Sequence, residues 1–165
     1  MTSPSAPATH AVSGAITPDA LLEAWLGHRR LSRRTIERFP EDQLFTFSIG
    51  GMRTYGALAL EMIGMGAPFV RGVVTGEWEP FTSRDASSRE RVLELWDEST
   101  ERITALWTQI TPEQFGETIK AFGGYEGTVT HLLMYIIDNE IHHRGQGYVY
   151  LRALGVEPPP FWERD

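Results

Sequence analysis

The chain has 165 residues, no cysteine, and a formal net charge of −7 from 22 acidic and 15 basic side chains. That length suits one domain with a core that needs no covalent staple. The lack of cysteine removes disulfides, thiolate nucleophiles and cysteine-based zinc sites, and the acidic balance argues against a general nucleic-acid or anionic-membrane binder.

Residues 1–15 have neither the basic start nor the apolar core of a signal peptide. They read as a flexible tail, with 16–165 as a single domain. No apolar run is expected to approach the length of a membrane span, and the expected location is the cytoplasm. A helix should begin at Thr17, a good cap, with Pro18 at its first position and Asp19 complementing the dipole. Leu22, Trp25, Leu26, Ile36 and Phe39 give it an apolar face that stops near Pro40. Arg29, Arg30, Arg33 and Arg34 read as a solvated basic face on this helix, and His28 and His10 as histidines without partners.

After a loop at 41–51, a second helix is expected over about 53–75, with Tyr55, Leu58, Met62, Met65 and Phe69 on one side. Gly56, Gly64 and Gly66 weaken it by about 1 kcal/mol each relative to alanine and point to close backbone approach. A third helix over about 87–110 carries the stripe Val92, Leu95, Trp96, Ile103, Leu106 and Trp107. The glycine-rich stretch 111–127 predicts a short helical turn at Pro112 followed by an irregular or extended segment. The longest helix should run from about Thr128 to Leu154, with Gly155 as its cap and three prolines at 158–160 forbidding continuation. Four long helices make an all-α, antiparallel four-helix bundle.

The chemistry concentrates in the last helix. Helical spacing puts Leu132, Ile136, Asn139, His143, Gln146 and Tyr150 on one stripe, so Asn139 and His143 can both reach one metal ion. A second stripe carries His131, Tyr135, Asp138, His142 and Val149, and Asp138 is placed to accept a hydrogen bond from His142. A third carries Leu133, Ile137, Glu140, Arg144 and Tyr148, with Glu140 and Arg144 spaced for an ion pair. The blander reading is equally physical: an inward histidine that is only hydrogen-bonded, tyrosines that pack, and a structural arginine.

The run "EIHHRGQGYVYLRALGVEPPPFW", with "TYGALALEMIG" in the second helix, resembles the DinB/YfiT-like superfamily of four-helix-bundle proteins over about residues 16–165. The resemblance implies one divalent metal ion, held in the family by a histidine of the second helix and two of the last. Carried onto this sequence, those positions are Glu61, Asn139 and His143, so one histidine of three is kept. Such a set should bind zinc or nickel less tightly than three imidazoles do and lean toward manganese. The same three residues also suit a metal-free hydrogen-bonded cluster.

The resemblance further implies a homodimer and a thiol-dependent transferase or isomerase, in which the metal activates a low-molecular-weight thiol cosubstrate. His142 or Arg144 is then a candidate for orienting the substrate. The alternatives are a non-catalytic, stress-associated binding protein with a degenerate site, and a metal-independent hydrolase with Glu61 and His143 as its base.

Overall fold

The computed structural model describes residues 16–79 and 85–165. Four helices carry the fold: α1 (Pro18–Arg38), α2 (Tyr55–Thr75), α3 (Arg89–Trp107) and α4 (Val129–Ala153). The expected tail at 1–15, with His10, lies outside the described residues.

Each helix starts on a hydroxyl cap. The side chains of Thr17, Thr54, Ser88 and Thr128 accept from the backbone N–H three residues on, at 3.2, 3.4, 3.2 and 3.2 Å. Each cap satisfies a donor that the helix cannot, and fixes where the helix begins. α4 ends at Leu154, and Gly155 follows with φ of 74°, a conformation that suits glycine. The bonds Gly155 N to Arg152 O and Val156 N to Leu151 O then close the terminus. Beyond it, Arg30 Nε bonds the carbonyl of Arg164 at 2.8 Å, and Arg34 bonds those of Glu163 and Asp165, so the C-terminal segment folds back on α1.

α1 and α2 each pack against both α3 and α4 and touch each other little, so they sit diagonally. The apolar interior is divided in two. One cluster gathers Trp25, Phe69, Val70, Ile103, Trp107, Leu133 and Ile136. The other gathers Ile36, Phe39, Tyr55, Leu58, Val92, Trp96, Tyr150 and Leu151. In every helix the two sets occupy opposite ends, and α4 crosses the gap between them with Asn139, Glu140, His143 and Arg144. A small residue allows a close crossing there: a Cβ on Gly147 would overlap the Tyr55 ring.

Two expectations need correction. Residues 118–128, expected to be irregular or extended, form a hairpin of β1 (Thr118–Ala121) and β2 (Tyr125–Thr128), antiparallel, with Ala121 opposite Tyr125. The turn uses Phe122 at φ 50° and Gly123 at φ 73°. A left-handed backbone costs a non-glycine residue about 1–2 kcal/mol, so the Phe122 ring is held where it is by what it packs against. Trp78 supplies that packing, with ring centroids 5.3 Å from Phe122 and 5.8 Å from Phe69 of α2.

The second correction concerns α2, which is long and apolar enough to span a membrane, contrary to the expectation that no run approaches that length. Most of that stretch is buried against the other helices, which is what a central bundle helix requires.

Candidate functional site

α4 presents polar side chains to both of its neighbours. Toward α2, the three expected residues converge. His143 Nε2 stands 3.1 Å from Glu61 Oε1 and 3.1 Å from the Asn139 amide, and that amide is 3.4 Å from Glu61 Oε1. His143 is buried, while Asn139 and Glu61 are half-buried. The spacing of four along α4 stacks Asn139 over His143, and Glu61 faces them from the second turn of α2.

Two residues that sequence reasoning did not assign complete this cluster. Gln146 Oε1 lies 2.7 Å from His143 Nδ1, one turn further along the stripe. The Arg53 guanidinium bonds Glu61 Oε2 from the segment before α2, and the Arg53 carbonyl accepts from Tyr150 Oη at 2.9 Å. Burial alone would push the Glu61 carboxyl up. The bonds from Arg53 and His143, with their charges, outweigh burial and hold it below its ordinary value. Arg53 precedes the helix by two residues, outside any periodic pattern, so spacing gave no sign of it.

Glu61 and Asn139 form the end of a cleft of about 620 Å³ between α2, α4 and the hairpin. Met65, Phe69, Leu132, Ile136 and Ala121 line its inner part, and Tyr125, Glu126, His131 and Tyr135 are the exposed residues of its mouth. Trp78 braces the hairpin over it. A Cβ on Gly72 would overlap the Trp78 ring, so glycine at that position lets the ring lie on α2. The signal for this wall was present in "AFGGY", two glycines between aromatics, which marks a hairpin turn when an extended segment surrounds it.

Toward α1, the other face of α4 builds a closed network. Glu140, 2% exposed, accepts from Trp25 Nε1 (3.1 Å) and Ser32 Oγ (2.8 Å). Arg29, 1% exposed, lies 3.6 Å from Glu140 Oε2, bonds Thr100 Oγ1 and the Trp96 carbonyl, and stacks over the Trp96 ring. The solvated basic face expected on α1 is therefore wrong for Arg29, which is interior because an anion waits for it there. Arg33 is half-buried and grips Asp97 with two bonds at 2.7 and 2.9 Å.

The expected Glu140–Arg144 ion pair is also replaced. Ser32 stands between them, donating to Glu140 and accepting from Arg144 Nη1 at 3.1 Å. Arg144 also bonds the His28 carbonyl (3.2 Å) and His28 Nδ1 (3.0 Å), so His28 does have a partner. Accepting at Nδ1 leaves the His28 proton on Nε2, and Arg164 at 3.4 Å from Nε2 then acts by charge. Burial, Arg144 and Arg164 together lower the His28 pKa to about 4. Arg144 is buried on the α1 side, away from the cleft, and His142 is exposed outside it. No bond joins Asp138 to His142 among the described residues, although the His142 and His143 rings are 5.1 Å apart.

Among the described residues, no group of three or more histidines, aspartates or glutamates is placed to hold a metal ion, because the third member of the convergent set is an asparagine.

The bundle has counterparts among known proteins. The chain is similar to the uncharacterized protein YjoA of Bacillus subtilis (strain 168), 23% identical over 146 residues, which is 87% of this chain and 95% of that one. It superposes on the crystal structure of that DinB-like protein with a TM-score of 0.72 at 25% identity, covering 87% of this chain and 97% of the other. A DinB-like protein from Bacillus cereus shares the fold with a TM-score of 0.71 at 19% identity, over 86% and 95% of the two chains. The model of the DinB family matches residues 11–165, nearly the whole length, and the chain belongs to the DinB family.

Proposed function

We propose that Glu61, Asn139 and His143 hold a divalent cation at the end of the cleft, and that the protein acts there on a small organic molecule. One observation carries this reading. His143 Nδ1 donates to Gln146 Oε1, which leaves Nε2 with a lone pair facing Glu61 Oε1 at 3.1 Å. Two acceptors at that distance need a shared partner; the Asn139 amide, 3.1 Å from Nε2 and 3.4 Å from Oε1, is one, and a cation bound by all three residues is another.

The donor set also has the dimensions of a metal site. Metal–ligand bonds of about 2.1 Å put neighbouring donors about 3.0 Å apart in an octahedron and about 3.4 Å apart in a tetrahedron. The three separations here are 3.1, 3.1 and 3.4 Å. Asn139 serves as a ligand when its amide is turned to present Oδ1, an assignment set by whatever it bonds. Two oxygens and one imidazole favour manganese-like ions over zinc and nickel. Such an ion would supply Lewis acidity, lowering the pKa of a thiol or water beside it. The chain's own residues orient that chemistry: Gln146 fixes the imidazole, and Arg53 holds the second oxygen of Glu61.

A second reading has its own support. Arg53 already neutralises Glu61, and a proton between Nε2 and Oε1 would make an imidazolium–carboxylate pair without metal. Metal analysis and calorimetric titration with manganese, nickel and zinc separate the two. One ion per chain, lost in Glu61→Ala and His143→Ala, is expected, and Asn139→His should raise zinc affinity at least tenfold. Substoichiometric binding of every ion, with no gain from Asn139→His, would establish the metal-free pair.

A further inference from the structure

We propose that the outward face of α4 is a docking surface for a second copy of this chain, which lays its own α4 antiparallel there. Gly145 stands at the two-fold axis, and Asp138 of each copy meets Arg152 of the other.

Helical spacing puts Met134, Tyr135, Ile141 and Val149 on the outward side of α4, where they are between 37% and 54% exposed. Among the described residues, these four are the exposed large apolar side chains that the helices carry. The exposed residues of α1, α2 and α3 are all charged, threonine or alanine. An exposed apolar residue by itself is ordinary, but a row of them confined to one face of one helix marks a face that something covers.

Gly145 lies within that row, exposed and in helical conformation. A Cβ there would meet nothing within 4 Å, so no neighbour inside the chain asks for glycine, which weakens a helix relative to alanine. A second helix approaching from outside supplies the reason, as the Tyr55 ring does from inside for Gly147.

The charges identify that helix as another α4. Asp138 and Arg152 are each seven residues from Gly145, so the three lie nearly on one line along the face. Neither charge is in an ion pair among the described residues. Arg152 has only the ring of Tyr148, on its own helix, at 5.8 Å. A two-fold axis through Gly145 sets each Asp138 against the other copy's Arg152, and each Ile141 against Val149. The face is thus its own complement in charge and in apolar residues, as an isologous contact requires. A parallel pairing would instead set acid on acid and base on base.

Sedimentation equilibrium of the full chain at tens of micromolar should give twice the 18.6 kDa chain mass. Gly145→Lys puts like charges on the axis and should weaken the dimer at least tenfold. Its far-UV circular dichroism should stay that of wild type, since the position has open space around it. Asp138→Arg sets arginine against arginine and should dissociate the dimer, and adding Arg152→Asp should restore it. A chain that is monomeric throughout, a dimer that survives Gly145→Lys, or a double variant no tighter than Asp138→Arg alone would overturn the proposal. These measurements need no metal ion, so their outcome is separate from that of the ion titration.

Discussion

The two sides of α4 use similar residues to opposite ends. Toward α1, Glu140 and Arg144 enter a network in which Trp25, Ser32, Thr100, the Trp96 carbonyl and His28 supply partners. Toward α2, Asn139 and His143 meet a carboxylate across a gap where two acceptors face each other, and a cleft leads to them. The α1-side network holds helices together, although Arg29 Nη1 has no hydrogen-bond partner and only the charge of Glu140 Oε2 at 3.6 Å. The α2-side cluster is the one that a cleft reaches, so its Glu61 and Asn139 can meet a ligand. The lesson is that a histidine or carboxylate inside a bundle is read by what can reach it, and burial alone does not distinguish the two cases.

The contrast breaks most sharply in stability. Glu140→Ala removes the anion beside Arg29 and leaves Trp25 Nε1 and Ser32 without their acceptor. A buried partner lost in this way costs about 3–5 kcal/mol. Glu61→Ala should cost only about 1 kcal/mol, since Arg53 is largely exposed and water replaces its partner. Urea unfolding of both variants checks the difference, and equal losses would mean that the α2 side is structural too.

The next effect separates the sides by pH. His28 has its pKa lowered from 6.5 to about 4 on the closed side. Below pH 6.5 the unfolded chain takes up a proton that the folded chain refuses until about pH 4. The stability contributed by neutral His28 is therefore complete above pH 6.5 and is lost as pH falls toward 4. Screening at its solvent-facing edge limits the loss to roughly 2 kcal/mol. Urea midpoints for wild type and His28→Gln, taken across that window, should diverge, with the variant flatter. Parallel curves would remove His28 from the account.

Much of this architecture was legible in the residues. The helix starts at Thr17 and Thr128 are read from cap chemistry, and the α4 stripes follow from 3.6-residue periodicity. The convergence of Glu61 with Asn139 and His143 was reached through resemblance, since periodicity cannot align two helices. What stayed hidden depended on partners distant in sequence. Arg29 sits beside three arginines on one helix, and only the position of Glu140, 111 residues later, separates it from them. Ser32 carries no local sign that it will stand between Glu140 and Arg144. The hairpin was obscured because its strands are four residues each, too short to show alternation.

The smallest predicted effect is on the open side, at the hairpin turn. Phe122 keeps a φ of 50° at a turn whose next residue is already glycine. Glycine at 122 would relieve that backbone and forfeit the ring's packing on Trp78. Relief worth about 1–2 kcal/mol is set against the loss of one partly exposed aromatic contact, worth about 0.5–1.5 kcal/mol. Phe122→Gly should therefore change stability by less than about 1 kcal/mol in either direction. A melting curve close to that of wild type would show that the strained turn adds little to stability. A loss of several kcal/mol would instead make Phe122 part of the core, and the cleft wall would then be a by-product of packing, like the network on the other side of α4.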